Sequence, residues 1–177
     1  MGDATELVGF LTKVRNARRF RPDPVPEEAL AAVLEVARWS GSSMNRQPWR
    51  FVVVREPALL RALAATSPSI GWVAGAPLAI VPVLDGAAPE DETFDEGRVS
   101  ERILLAARAH GLVAGLGWFP PRTARAAAKS LLGVPEERVV RTVIALGYPS
   151  EEPTGRGGDR KPLAELVFAD RYGQRPA

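Results

Sequence analysis

Three short, largely apolar runs, Phe51 to Val54, Leu78 to Leu84 and Val139 to Tyr148, alternate with segments whose apolar residues recur at helical spacing. This alternation constrains the fold more than anything else in the chain. Bounded apolar runs of about four to eight residues are the length of buried strands. Such strands need helices laid over the sheet they form, so the expected architecture is α+β or α/β, with a central mixed β-sheet sandwiched by helices. Pro82 interrupts the second run. Because proline cannot donate to a ladder, it marks an edge or a bulge there.

The helical segments are legible from their ends. Asp3 or Thr5 caps a first helix reaching about Val14, with Leu7, Phe10, Leu11 and Val14 as its stripe, and the arginine-rich stretch from Arg15 to Pro24 breaks it. Pro26, Glu27 and Glu28 open a second helix, striped by Leu30, Val33, Leu34 and Ala37, which ends near Gly41. Ala58 to Ala65 form a short helix, Asp85 to Glu92 a surface loop, and Asp95 to His110 a longer helix. In that longer helix Ile103 to Ala107 are all apolar, so no single stripe collects them; either the rest of the monomer or a partner subunit covers that surface. Gly111 to Trp118 make a glycine-rich turn and a short strand, and Pro121 to Leu132 a helix stopped by Gly133. Pro162 to Tyr172 form a terminal turn or helix packed by Leu163, Leu166, Val167 and Phe168.

At 177 residues the chain suits one domain, residues 1–177. Having no cysteine removes disulfides, thiolate metal sites, iron–sulfur clusters and a cysteine nucleophile together, so any redox chemistry needs a borrowed cofactor. A net charge of +2, with basic residues spread along the whole chain, offers no patch to a nucleic acid. No run approaches the roughly 20 apolar residues of a membrane span. Met1 to Glu6 carries acid where a secretory signal needs base, so the expected location is the cytoplasm. The single histidine, His110, stands at a helix end before glycine, a capping or packing position. No metal site is expected: one histidine cannot build a His-rich site, and the acids between Asp85 and Glu96 lack the calcium-loop pattern and read as solvated. Gly111, Gly115 and Gly117 follow a helix and precede a strand, the reverse of a dinucleotide-binding turn.

What remains is a polar loop and two basic segments. Ser42 to Trp49 sits where a helix hands over to a strand, and its hydroxyls and two amides both donate and accept, which suits a heteroaromatic ligand. Asn45 and Gln47 could equally cap the turn. Trp49 and Phe51 read as core. Arg15 to Arg21 and Arg156 to Lys161 can neutralise a phosphate, with Arg19 and Arg21 solvated or paired at the surface.

Taken in order, Arg15-Asn16-Ala17-Arg18-Arg19-Phe20, Pro24-Val25-Pro26, Ser43 through Val54, Leu104 through Leu112 and Arg160-Lys161-Pro162-Leu163 resemble the signature of the nitroreductase-like FMN flavoproteins, over nearly the whole chain. The resemblance implies an α+β, nitroreductase-like homodimer with two FMN sites at its interface. It also implies NADH or NADPH as reductant and a small-molecule electron acceptor such as a nitroaromatic or quinone. By the same resemblance, Arg15, Asn16 and Arg18 lie along the FMN phosphate and ribityl chain, and Arg160 and Lys161 complete the phosphate pocket. Ser43, Asn45 and Gln47 address the flavin or its neighbouring loops, and the backbone of Leu116, Gly117 and Trp118 faces the ring near N5 and O4.

No side chain stands out as a catalytic acid or base, as suits a protein whose flavin carries the hydride chemistry. The chain departs from the family at Val14-Arg15-Asn16, where Arg-Arg-Ser is common; Arg18, Arg19 and Arg156 are the candidates to compensate. Two other readings stay open: a protein that binds or sequesters flavin with little turnover, and a non-flavin interaction module whose arginines meet an acidic or nucleic acid partner.

Overall fold

Seven consecutive buried residues make β2 (Leu78–Leu84) the centre of the sheet in the computed structural model, which describes residues 3–151 and 160–175. Around it the chain runs α1 (Ala4–Lys13), α2 (Glu27–Arg38), a 3-10 turn (Ser43–Asn45), β1 (Trp49–Val54), α3 (Pro57–Ala65) and a 3-10 segment (Pro68–Gly75). After β2 come α4 (Pro89–Ala109), β3 (Val113–Trp118), α5 (Thr123–Leu132), β4 (Val139–Val140), β5 (Thr142–Gly147) and a short α6 (Leu163–Leu166).

The strand order is β1-β2-β5-β3, with β4 also on β2. Every described pair is antiparallel, which corrects the expected mixed sheet. The reason lies in the α4 crossover. It returns the chain so that β3 points the same way as β2 but one place away, and β5 then enters between them, antiparallel to both.

Pro82 marks a bulge and not an edge, since β1 pairs along its other side. Between the pairs Ile80–Ile144 and Val83–Val140, the β4–β5 side has one residue more than β2. Arg141 is that residue, and it splits the expected strand from Val139 to Tyr148 into β4 and β5.

Alternate residues of the sheet feed two cores. Leu78, Ile80, Leu84, Ile144 and Leu146 pack under α2 and α4, while Ala79, Val81, Val83 and Val143 pack under α3, α5 and the 3-10 segment. Ile103, Leu104, Ala106 and Ala107 are buried within this one copy, so the monomer itself covers the apolar run of α4.

That helix starts at Pro89, six residues before the expected Asp95, with proline at its first turn and Glu90, Asp91 and Glu92 behind it. Of the acids expected in a solvated loop, Glu90 to Glu96 are therefore helical; Glu90 and Asp91 are exposed, whereas Glu92, Asp95 and Glu96 are buried. His110 caps the far end, its backbone N–H donating to the carbonyls of Ala106 and Ala107.

The two terminal segments behave differently. Residues of α1 are nowhere buried, and Leu7, Val8 and Leu11 are exposed. Leu163, Leu166 and Val167, expected to pack, are exposed as well, while Phe168 packs against Tyr172 and carries the Arg175 guanidinium 5.6 Å from its ring centre. No helix among the described residues is long and apolar enough to cross a membrane.

Candidate functional site

The outer edge of β3 is met by the segment that leaves α1. Ala17 N donates to Ala114 O at 2.9 Å, and Leu116 N donates to the side-chain Oδ1 of Asn16 at 2.7 Å. Since edge groups alternate, the backbone of Gly115 and Gly117 turns inward toward Ala145 and Val143 on β5. Gly115 has to be glycine: a Cβ there would run into the Ala17 carbonyl oxygen and lie 2.9 Å from the Trp72 ring.

Of the three residues expected along the flavin ring, Leu116 already has its amide engaged and Gly117 is buried in the ladder. Trp118 is 46% exposed, with the Arg125 guanidinium 5.0 Å from its ring centre. Asn16 spends its oxygen on Leu116, and its Nδ2 hydrogens have no partner among the described residues.

Where α1 ends and β3 begins, Lys13, Val14, Arg15, Leu104, Arg108, Val113 and Ala114 line a shallow cavity. Three of these are cations and none is an acid. Arg15 Nη1 donates to Thr12 O at 2.7 Å and Val14 O at 2.8 Å, closing the C-terminus of α1. Arg18 is exposed, with no ion-pair partner among the described residues. Arg160 and Lys161 are exposed too, and none of the described hydrogen bonds or ion pairs ties them to this cavity. Arg19 pairs with Glu151 at 3.1 Å and Arg21 with Asp23 at 2.8 Å, the surface roles expected of them. Arg156 lies outside the described residues.

The polar loop is strained. Met44, Asn45 and Gln47 take φ of 49°, 55° and 49°, the left-handed region that costs an L-residue about 1–2 kcal/mol. Such outliers persist only when the surroundings over-determine them. Gln47 N donates to Ser42 Oγ at 2.9 Å, Gln47 Nε2 donates to Asn45 O at 3.2 Å, and Arg46 pairs with Asp91 at 3.2 Å. Ser43 N donates to Asp95 Oδ2 at 2.9 Å. Gln47 thus caps the turn, whereas the exposed Asn45 side chain has no described partner. Trp49 is buried beneath the loop and Phe51 half-buried, both as core residues.

Among the described residues no hydrogen bond or ion pair joins this loop to Arg15, Asn16 or Leu116.

The buried acids of α4 were not anticipated. Glu96 accepts from Thr142 Oγ1 at 2.7 Å and faces Arg141 Nη1 at 3.4 Å. Burial pushes its carboxyl above the usual range, against the pull of Thr142 and Arg141, and burial likewise lowers Arg125. One signal was present: Glu92, Asp95, Glu96, Val99 and Ile103 recur three and four apart, on a single helical stripe.

A family model described as the nitroreductase family matches residues 12–83, the span that holds both the arginine segment and the strained loop. The chain is 34% identical to the NADH dehydrogenase of Thermus thermophilus, over 88% of this chain and 92% of that protein. The chain belongs to the nitroreductase family. This member is also 32% identical to the 5,6-dimethylbenzimidazole synthase of Rhodospirillum rubrum, over 92% of its own length and 87% of that protein. The structure of an FMN-dependent nitroreductase from Clostridium difficile superposes with a TM-score of 0.83 at 25% identity, covering 93% of this chain and 99% of the other. The nitroreductase-family member therefore has the family's α+β fold and stands among oxidoreductases.

Proposed function

We propose that this nitroreductase-family chain is an FMN-dependent oxidoreductase that moves hydride from NADH or NADPH to a small-molecule acceptor such as a quinone or nitroaromatic. The observation that carries the reading is the cavity at the foot of the β3 edge, to whose lining Lys13 and Arg15 bring positive charge. A dianionic phosphate fits that lining, and a flat ring fits the edge above it, where side chains are small or turned outward. When bound, FMN supplies the hydride chemistry at N5.

The chain's own residues bind and orient. Arg15 and Arg18, joined by Arg160 and Lys161, neutralise the phosphate. Asn16 takes over the Leu116 amide and presents its free Nδ2 hydrogens in that amide's place. Leu116, Gly117 and Trp118 shape the wall along the ring. Ser43, Asn45 and Gln47 form a second wall, which a second copy would bring around the same ligand. A homodimer would also cover Leu7, Val8 and Leu11 of α1 together with Leu163, Leu166 and Val167, all exposed in one copy.

Purified protein should be yellow, or become so on adding FMN, and should oxidise NADH or NADPH when given a quinone. A colourless protein that FMN cannot reconstitute sinks the reading. Bound FMN that neither nicotinamide reduces points instead to sequestration.

A further inference from the structure

We propose that Asp95 is the positioning residue of the cofactor site: its buried carboxylate holds the loop from Ser43 to Gln47 in a preformed left-handed conformation. The inference rests on the FMN reading above. Asp95 is 1% exposed, and its Oδ2 accepts the backbone N–H of Ser43 at 2.9 Å from 52 residues away. Its other oxygen, Oδ1, faces Arg98 Nη1 at 3.5 Å. That guanidinium in turn lies against Gly41, at the start of the loop, where a Cβ would force it to shift. Gly41, Arg98, Asp95 and Ser43 thus close a ring of contacts around the root of the loop.

The loop's remaining bonds are local, or made at the surface as in Arg46 with Asp91, about half exposed on both sides. Nothing else that is buried holds the loop to the body of the protein among the described hydrogen bonds. Three non-glycine residues are nonetheless kept in the left-handed region, and Met44, Asn45 and Gln47 project outward. A loop fixed this way meets its ligand without first being ordered, which favours binding. Asp95 touches no ligand. It acts through Ser43.

Asp95→Ala and the isosteric Asp95→Asn test this by two readouts in the intact chain. Amide hydrogen exchange, measured without cofactor, should lose about tenfold protection at Ser43 to Gln47 in Asp95→Ala, the effect of one charge-assisted bond. The dissociation constant for FMN should rise by about tenfold, while kcat at saturating FMN stays within about twofold. Asp95→Asn, which still offers an acceptor but loses the ion pair with Arg98, should fall between. Unchanged exchange in Asp95→Ala overturns the positioning role whether or not FMN binds. Faster exchange with unchanged FMN affinity overturns the link to the cofactor. Parent protein that takes up no FMN overturns the underlying reading, and the exchange measurement still decides whether Asp95 holds the loop. If Asp95→Ala does not fold, the same criteria apply to Asp95→Asn.

Discussion

Glu92 and Asp95 lie about one turn apart on α4 and both accept backbone amides from a neighbouring loop, but the loops they hold keep their strain in different places. Glu92 takes the amides of Gly86, Ala87 and Ala88 at 3.0, 2.9 and 3.1 Å. The left-handed position of that loop falls on Gly86, φ 83°, where no side chain is penalised. Asp95 takes a single amide, and its loop puts left-handed backbone on methionine, asparagine and glutamine. One loop is a relaxed helix entry with three satisfied donors. The other keeps a costly shape with its side chains turned outward, the pattern found where a ligand is clamped. On the proposed reading, stability and ligand geometry fall to different acids of one helix.

The largest test breaks the relaxed side. Glu92→Ala leaves three partly buried amides without their acceptor, and denaturation in urea should show a loss of about 3–5 kcal/mol, with FMN affinity of the folded protein unchanged. A loss under about 1 kcal/mol would erase the contrast.

Glu96 sharpens it, being a buried acid of the same helix that serves no loop. Its carboxyl is raised above 4.5 by burial, so the folded state keeps a proton that the unfolded state has already released. That contribution is fully present below the ordinary glutamate value and is lost as pH rises through the raised one. Parent stability should therefore decline across that window, and Glu96→Gln should flatten the profile. A Gln variant with the parent's slope assigns the titration elsewhere.

The smallest test relieves strain directly. Gln47→Gly should gain about 0.5–1 kcal/mol, or roughly 1–4 °C in Tm, while FMN binds more weakly to a looser loop. No gain in Tm would mean the position carries no strain.

Much of this was readable in advance. Leu30, Val33 and Ala37 mark the buried face of α2, Gly133 ends α5, and Pro82 predicts the bulge that Arg141 completes, because each signal acts over a few residues. The start of α4 was not read, since Asp85 to Glu92 combines proline, alanine and acids in a way that suits either a solvated loop or a helix entry. Leu7, Leu11 and Leu163 carry an apolar pattern without naming what covers it, and one copy covers none of them. Within the site, the arginines after α1 and the Ser42 to Trp49 loop stood out by composition. That Asn16 would occupy the Leu116 amide did not, because the two lie 100 residues apart.

By itself the sequence determined a chain of alternating helices and buried strands, α+β or α/β, the family signature that selects α+β, and the residue types able to meet a phosphate and a flat ring, all carried by local pattern. Only the tertiary structure decided that the sheet is antiparallel throughout its described pairs, that three acids are buried on α4 and that Met44, Asn45 and Gln47 are held left-handed. Strand direction, burial of a charge and backbone strain are set by contacts between segments 50 to 100 residues apart, such as Ser43 with Asp95 and Leu116 with Asn16, and no local periodicity encodes them.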